Sequence, residues 1–249
     1  MSDLQQPPVV HPIFRNKPPL EAKLWRYLSF AKFASLLDAG YLHFTRVDKF
    51  DDHFEGAWPQ QDLQFWQGMQ GFDVPKFTED NRMTTVASCW IESEHESAGM
   101  WRLYAQGQEA VAIVTSFRKL EQLVGATFVD NGEGRKALAG AARVRYVDHF
   151  KEGLLDQRPD NVLWPFMSKN VSYDHEHEVR ALIHLHQVIS SEGLDLPLKP
   201  IDFIDEIVTG PFGQPWFDKT VRGVAERYGL ADRIRSSSLS PANFYIKRV

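Results

Sequence analysis

The run EAVAIVTSF (109–117) is almost continuously apolar, yet it is only as long as a strand. A segment of this kind gives both of its faces to the interior, the position of a central strand. Other strand-like runs lie on either side of it in sequence. They are KLWRYLSF (23–30), YLHFTRV (41–47), MTTVASCWI (83–91), ARVRYVDH ending at His149, EHEVRALI, IDFIDEIVTGP and a last run NFYIKRV. In the first of them, alternation places Trp25 and Tyr27 on one side and Leu24, Arg26 and Leu28 on the other.

Helical spacing separates these runs. Ser29 is placed as an N-cap for Phe30, Phe33, Ala34 and Leu37, and Gly40 is placed to stop that helix. Met100, Trp101 and Tyr104 share a short helix, RKLEQLV forms another, and PWFDKTVRGVAERYGL is an amphipathic helix ending at Gly229. DLQFWQGMQ is also read as helical, whereas GFDVPKFTEDNR (71–82) reads as loop. Strands outnumber helices without regular alternation. The expectation is therefore an α+β fold, a single domain over residues 21–249 with a mixed or antiparallel sheet flanked by helices.

Residues 1–20 hold five of the fourteen prolines and read as a flexible Pro-rich arm. The arm docks through Ile13 and Phe14, engages a protein partner, or stays disordered. It has neither the basic start nor the apolar run of a signal peptide, and no apolar stretch is long enough to span a bilayer. The formal charge of −5 gives no strong nucleic-acid signal. The lone cysteine, Cys89, fits a reducing compartment and forms no internal disulfide. A cytoplasmic protein with no membrane partner is expected.

Titratable groups concentrate in SYDHEHEVRALI (172–183). Read as a strand, it puts Glu176, Glu178 and Arg180 on an outward face and His177, Val179, Ala181 and Ile183 on a core face. His175 and His177 then point away from the glutamates. His184 lies six residues beyond Glu178, roughly 20 Å along an extended chain, so one ion cannot bridge them and no metal is assigned. The Glu-x-Glu-x-Arg stripe is either a solvated face with weak ion pairs or a carboxylate pair in a cleft. Asp48, Asp51, Asp52 and Glu55 in RVDKFDDHFEG cap and start a short helix, or bind a cation, without a complete calcium-loop spacing. Cys89 beside Trp90 reads as a buried thiol. Met100, Trp101 and Tyr104 are either core or a ligand-stacking platform.

Taken in order, LWRYLSF, FDDHFEG, ASCW, MWRLY, AVAIV, SKN, EHEVRAL and EIVTGPFGQPW resemble a bacterial family, domain of unknown function twenty-nine seventy-one. The likeness covers roughly residues 23 to 240. His53 stands where that family commonly has proline, and QGQEAVAI lacks the glycine often seen before that strand. The resemblance marks Glu176, Glu178 and Arg180 as a signature. An arginine on an early strand, a serine-bearing strand and a later Glu-x-Glu strand also look like the layout of ADP-ribosyltransferases that bind NAD. That layout implies NAD as substrate rather than cofactor. Arg26 would contact a phosphate, Ser88 would support the nicotinamide ribose, and Glu178 would stabilise an oxocarbenium-like transition state. Glu176 would join Glu178 and Arg26 as catalytic, and Tyr104 or Trp101 would stack on nicotinamide. Arg180, Asp52 and Glu55 complete the candidate ligand-binding set, in a stress or antiphage setting. The competing class is a non-catalytic module recognising a peptide, nucleotide or partner protein, with Trp58, Trp66 and Trp216 exposed. In a third reading Arg180 bridges to Asp52 or Glu55 and only locks two segments together.

Overall fold

A computed structural model describes residues 11–52, 54–104, 109–125, 137–154, 162–185 and 187–240. The chain runs through β1 (Lys23–Ser29), α1 (Phe30–Ala39), β2 (Tyr41–Arg46), α2 (Gln60–Gln67), α3 (Val74–Met83) and β3 (Thr85–Glu92). Next come α4 (Ala98–Tyr104), β4 (Ala110–Ser116), α5 (Phe117–Gly125), β5 (Leu138–Arg143), β6 (Arg145–Val147) and β7 (Ser168–Asn170). The last elements are β8 (Glu178–His184), β9 (Gly193–Pro197), α6 (Pro200–Phe203), β10 (Glu206–Thr209), α7 (Pro215–Glu226) and β11 (Ile234–Ser236). The result is an α+β arrangement built on a mixed, mostly antiparallel sheet.

That sheet has nine strands along the path β11-β10-β4-β1-β3-β2-β9, with β8 added to β3 and β5 to β8. Apart from the parallel pair β10–β11, its neighbours are antiparallel. β4 lies between β1 and β10, and six of its residues, Ala110 to Thr115, are almost wholly buried. The apolar run therefore occupies the centre that its composition demands.

The sheet is split. β1 pairs with β4 along its whole length, Lys23↔Ser116 to Ser29↔Ala110, but touches β3 only at Leu24↔Glu92 and Trp25↔Ile91. Beyond Trp25 the two strands part. β2 joins the vacated edge of β3 only at Thr45↔Ala87 and Arg46↔Val86. Ser88, Cys89 and Trp90 are thus left without a strand on that side, while β8 covers their other side from Thr85↔His184 to Ile91↔Glu178.

The two faces of the sheet differ. One is a continuous core in which Leu24, Leu28, Trp90, Val179, Ala181 and Ile183 pack against α1, α5 and α7. The other carries two separate apolar clusters, one around Trp25, Tyr27, Met100 and Trp101, the other around Phe14, Phe166 and Leu182. Charged side chains fill the space between them.

Local signals operate as the sequence suggests at several termini. The Ser29 side chain accepts from the Lys32 N–H, and Gly40 closes α1 at φ 64°, a left-handed conformation that glycine adopts without penalty. Residues 71–82, expected as loop, instead contain α3. Asp73 accepts from the Lys76 N–H at 3.0 Å and Pro75 sits in the first turn, so Asp and Pro start a helix here. ARVRYVDH divides at Val144 between β5 and β6, which belong to different sheets. IDFIDEIVTGP begins with α6 before β10. The expected strand NFYIKRV lies outside the described residues.

Residues 1–10 of the expected arm lie outside the described residues, and residues 11–20 dock on the domain through Ile13 and Phe14. Ile13 and Phe14 are buried, and the Phe14 ring occupies the space over Gly140, where a Cβ would lie 2.5 Å from it. The Arg143 N–H donates to the Asn16 carbonyl and the Arg118 N–H to the Leu20 carbonyl, both at 2.8 Å. No helix among the described residues is long and apolar enough to cross a membrane.

Candidate functional site

Where β1 parts from β3, a cleft of about 610 Å³ opens, a volume in the range of small-molecule sites. Arg26 lines one side, and Cys89 and Trp90 of β3 lie across from it. Glu176 and Glu178 close the β8 end, Asp51, Asp52 and Glu55 come from the turn after β2, and Tyr104 comes from α4.

Arg26 bridges the split. Its Nη1 donates to Ser88 Oγ at 2.9 Å and its Nη2 to the His43 carbonyl at 3.4 Å, with the guanidinium over the Trp90 ring. Ser88 Oγ also accepts from the Trp90 indole N–H at 3.1 Å. Ser88 is buried, does not line the cleft, and holds Arg26 in place.

The Glu/Arg segment is not one strand with a solvated face. Val171–Glu176 forms a 3-10 helix, and His177 turns the chain at φ 44° before β8 begins. His177 is therefore exposed instead of joining the core face, while Val179, Ala181 and Ile183 do face the core. Glu176, Glu178 and Arg180 are only 4%, 3% and 0% exposed. The expected outward stripe is buried because other segments fold over it.

Arg180 is the centre of this buried cluster. Its Nε donates to Glu178 Oε1 at 2.6 Å and its Nη2 to Glu178 Oε2 at 3.1 Å. On its other edge, Nη1 and Nη2 donate to Glu55 at 2.8 and 3.0 Å, and Nη1 also reaches the Phe166 carbonyl at 2.8 Å. Of the two partners considered for a bridging Arg180, Glu55 is the one it engages. Arg180 itself does not line the cleft. Lys169 of β7 donates to Glu176 at 2.6 Å and lies 3.5 Å from Glu178 and 3.7 Å from Glu55. The Tyr104 hydroxyl donates to the other Glu176 oxygen at 2.7 Å, and the Tyr146 hydroxyl accepts the Glu178 backbone N–H at 2.7 Å.

These contacts pull the carboxyls in opposite directions. Burial alone would raise Glu178, but the Arg180 guanidinium and Lys169 overcome it and hold the carboxyl at about 2. Glu55 is raised, by burial and by the charge of Glu178, against the pull of Arg180 and Lys169. Burial also lowers the charged form of Lys169, yet its carboxylates win and keep it protonated. Burial and the neighbouring Glu178 push the Cys89 thiol well up, so this group on the cleft wall is a thiol and not a thiolate nucleophile.

The other candidates divide clearly. Asp52 lines the cleft and accepts the Phe54 N–H through Oδ1 at 2.9 Å. Tyr104 is half exposed at the cleft. Trp101, four-fifths of a turn away on α4, does not reach it: the ring packs edge-on against Tyr27 in the core and its N–H donates to Glu96 at 3.0 Å. Trp58 and Trp66, expected to be exposed, are buried against Val74, whereas Trp216 is exposed. Residue chemistry in the sequence does not single out Lys169 or Tyr146. The SKN stretch was the one signal for the lysine, and nothing marked the tyrosine.

No family model matches the sequence, and no curated protein matches it. Among solved structures, Thermus sp. 2.9 DarT in complex with NAD+ is similar at 10% identity and a TM-score of 0.41, over 92% of this chain and 99% of that one. Thermus sp. 2.9 DarT in complex with ADP-ribosylated ssDNA is similar at 11% identity and a TM-score of 0.40, over 93% of this chain and 99% of that one.

Proposed function

We propose that the chain is an enzyme that uses NAD as substrate and transfers its ADP-ribosyl group, with the split of the sheet as the active site. The observation that carries this reading is one concave cleft lined by Arg26, Tyr104, Glu176 and Glu178 together. A flat face would have favoured a binding module. Arg26, Lys32 and Lys49 line the same cleft as the carboxylates. A ligand that joins phosphates to a cationic ring uses both signs of charge, and NAD is such a ligand.

Charge balance supports the chemistry. In the buried cluster three carboxylates, Glu55, Glu176 and Glu178, face two cations, Lys169 and Arg180. One negative charge is left over, fixed in a largely buried site where it favours a cation. During transfer the bond from the ribose C1′ to the nicotinamide nitrogen breaks, and both electrons leave with neutral nicotinamide. Positive charge gathers on the ribose, and a lone pair of the acceptor then forms the new bond to C1′. Glu178, held ionised by Arg180, stabilises that developing charge. Arg26, held by Ser88, meets a phosphate, and Tyr104 offers its ring to nicotinamide. That NAD+ is also the ligand named for a DarT structure adds no weight at that degree of likeness.

A second reading, the non-catalytic module, draws on the fact that each carboxylate of the cluster already holds a cation. Incubating the purified protein with NAD separates the two. Nicotinamide release, falling about 100-fold or more in Glu178→Gln, fits the enzyme. A rise in melting temperature with NAD but no release fits the module. A protein that shows no nicotinamide release and no thermal shift at millimolar NAD defeats the proposal.

A further inference from the structure

We infer that Glu55 is the catalytic base of the proposed transfer, taking the proton from the acceptor; the assignment rests on that proposed reaction. Glu55 and Glu178 reach the cleft from different segments and sit on two edges of one guanidinium. Glu55 Oε1 and Glu178 Oε2 lie 3.0 and 3.1 Å from the same Arg180 nitrogen, so they are at most about 6 Å apart. A ribose carbon stabilised by Glu178 therefore has Glu55 within reach of an incoming acceptor atom. Asp51 and Asp52 of the same turn also line the cleft, which makes that turn one of its walls.

Glu176 is placed differently. It is capped on one oxygen by the Tyr104 hydroxyl and on the other by the Lys169 ammonium. Among the described residues, the charged or titratable groups that act on Glu55 include Arg180 and Glu178 from β8, Lys169 from β7 and Cys89 from β3. Their balance prepares Glu55 to receive a proton. Bound NAD brings a positive nicotinamide ring against the surplus negative charge of the cluster. When nicotinamide leaves as a neutral molecule, the positive charge stays on the ribose and passes to the acceptor as its new bond to C1′ forms. Loss of the acceptor's proton to Glu55 then carries that charge into the cluster and leaves two carboxylates facing two cations. The new bond from the acceptor to C1′ then carries no charge of its own.

Azide tests the assignment because it is a nucleophile with no proton to lose. Its attack on C1′ forms a carbon–nitrogen bond and releases nicotinamide without needing a base. Glu55→Gln should hydrolyse NAD about 100-fold more slowly than wild type at saturating NAD, with calorimetry showing that NAD still binds. Azide should restore nicotinamide release and give ADP-ribosyl azide by mass spectrometry. It should not restore Glu178→Gln. Burial raises the Glu55 carboxyl, so the wild-type rate loss on the acid side should be displaced upward from that of a free carboxyl, and it should be absent from the azide reaction of the variant over the range in which azide stays ionised. Should Glu55→Gln melt below the assay temperature, Glu55→Asp takes its place. It keeps the charge but withdraws it by one methylene, and the same azide acceleration is expected. A variant within about threefold of wild type, or a slow one that binds NAD and ignores azide, overturns the assignment alone. A wild type that releases no nicotinamide overturns the underlying reaction and this assignment together.

Discussion

Replacing Arg180 with alanine should unfold the site before it alters any chemistry. The side chain is 0% exposed and donates five hydrogen bonds, four of them to Glu55 and Glu178. Its removal leaves two buried carboxylates short of their main cation, a change that costs about 3–5 kcal/mol. Linkage gives a similar figure. Holding Glu178 at about 2, against roughly 4.3 for a free glutamate, corresponds to on the order of 3 kcal/mol. For a chain of this size the melting temperature should fall by about 6 to 20 °C. The direction with pH is specific. In wild type the folded value lies below the unfolded one, so this contribution is fully present above the unfolded value and is lost as pH falls toward 2. Without Arg180, burial raises both carboxyls, and the variant regains stability as pH falls through the raised values. The gap between the proteins should therefore narrow between about pH 7 and about pH 4. Thermal melts of wild type, Arg180→Ala and Arg180→Met across that range measure it. Methionine fills the space without the charge and should rescue little. A gap that does not change with pH, or that methionine abolishes, would refute the electrostatic account and point to lost packing.

Two further substitutions examine how the site is built. Ser88→Ala removes the hydroxyl that holds Arg26 and leaves the Trp90 N–H without that acceptor. It should weaken NAD binding about tenfold by calorimetry, as expected for a lost hydrogen bond to a charged group; wild-type affinity would remove Arg26 positioning from the account. Gly193→Ala would put a Cβ 2.2 Å from the Phe44 carbonyl oxygen, where backbone and not a flexible side chain is in the way. The β2–β9 pairing should loosen at a cost of about 1–3 kcal/mol in denaturant melts. A melt matching wild type would mean that this edge is less tightly paired than Thr45↔Gly193 suggests.

Much of the secondary structure was legible because it depends on neighbours in sequence. Ser29 and Gly40 bound α1 through backbone groups a few residues away, and the apolar run in β4 demands a central position. The same local signals misled at residues 71–82, because Asp73 and Pro75 serve equally in a loop or at the start of α3. The 3-10 helix before β8 was hidden as well. Alternation across residues 172–183 fits an extended strand throughout, and the turn at His177 leaves no mark in that pattern.

The site itself was only half legible. The sequence by itself determined which residue types were at hand, and alternation along β8 correctly separated Val179, Ala181 and Ile183 from Glu178 and Arg180. It could not tell whether the charged side of β8 meets water. That depends on Glu55, 125 residues away, and on Lys169, both brought over Arg180 by the folded chain. Nor could it reveal the cleft, which exists because β1 leaves β3 after two residue pairs. Alternation fixes which face a side chain takes, since it is a property of one strand. Burial, ion pairing and the opening between strands belong to several segments at once, and only the tertiary structure decides them.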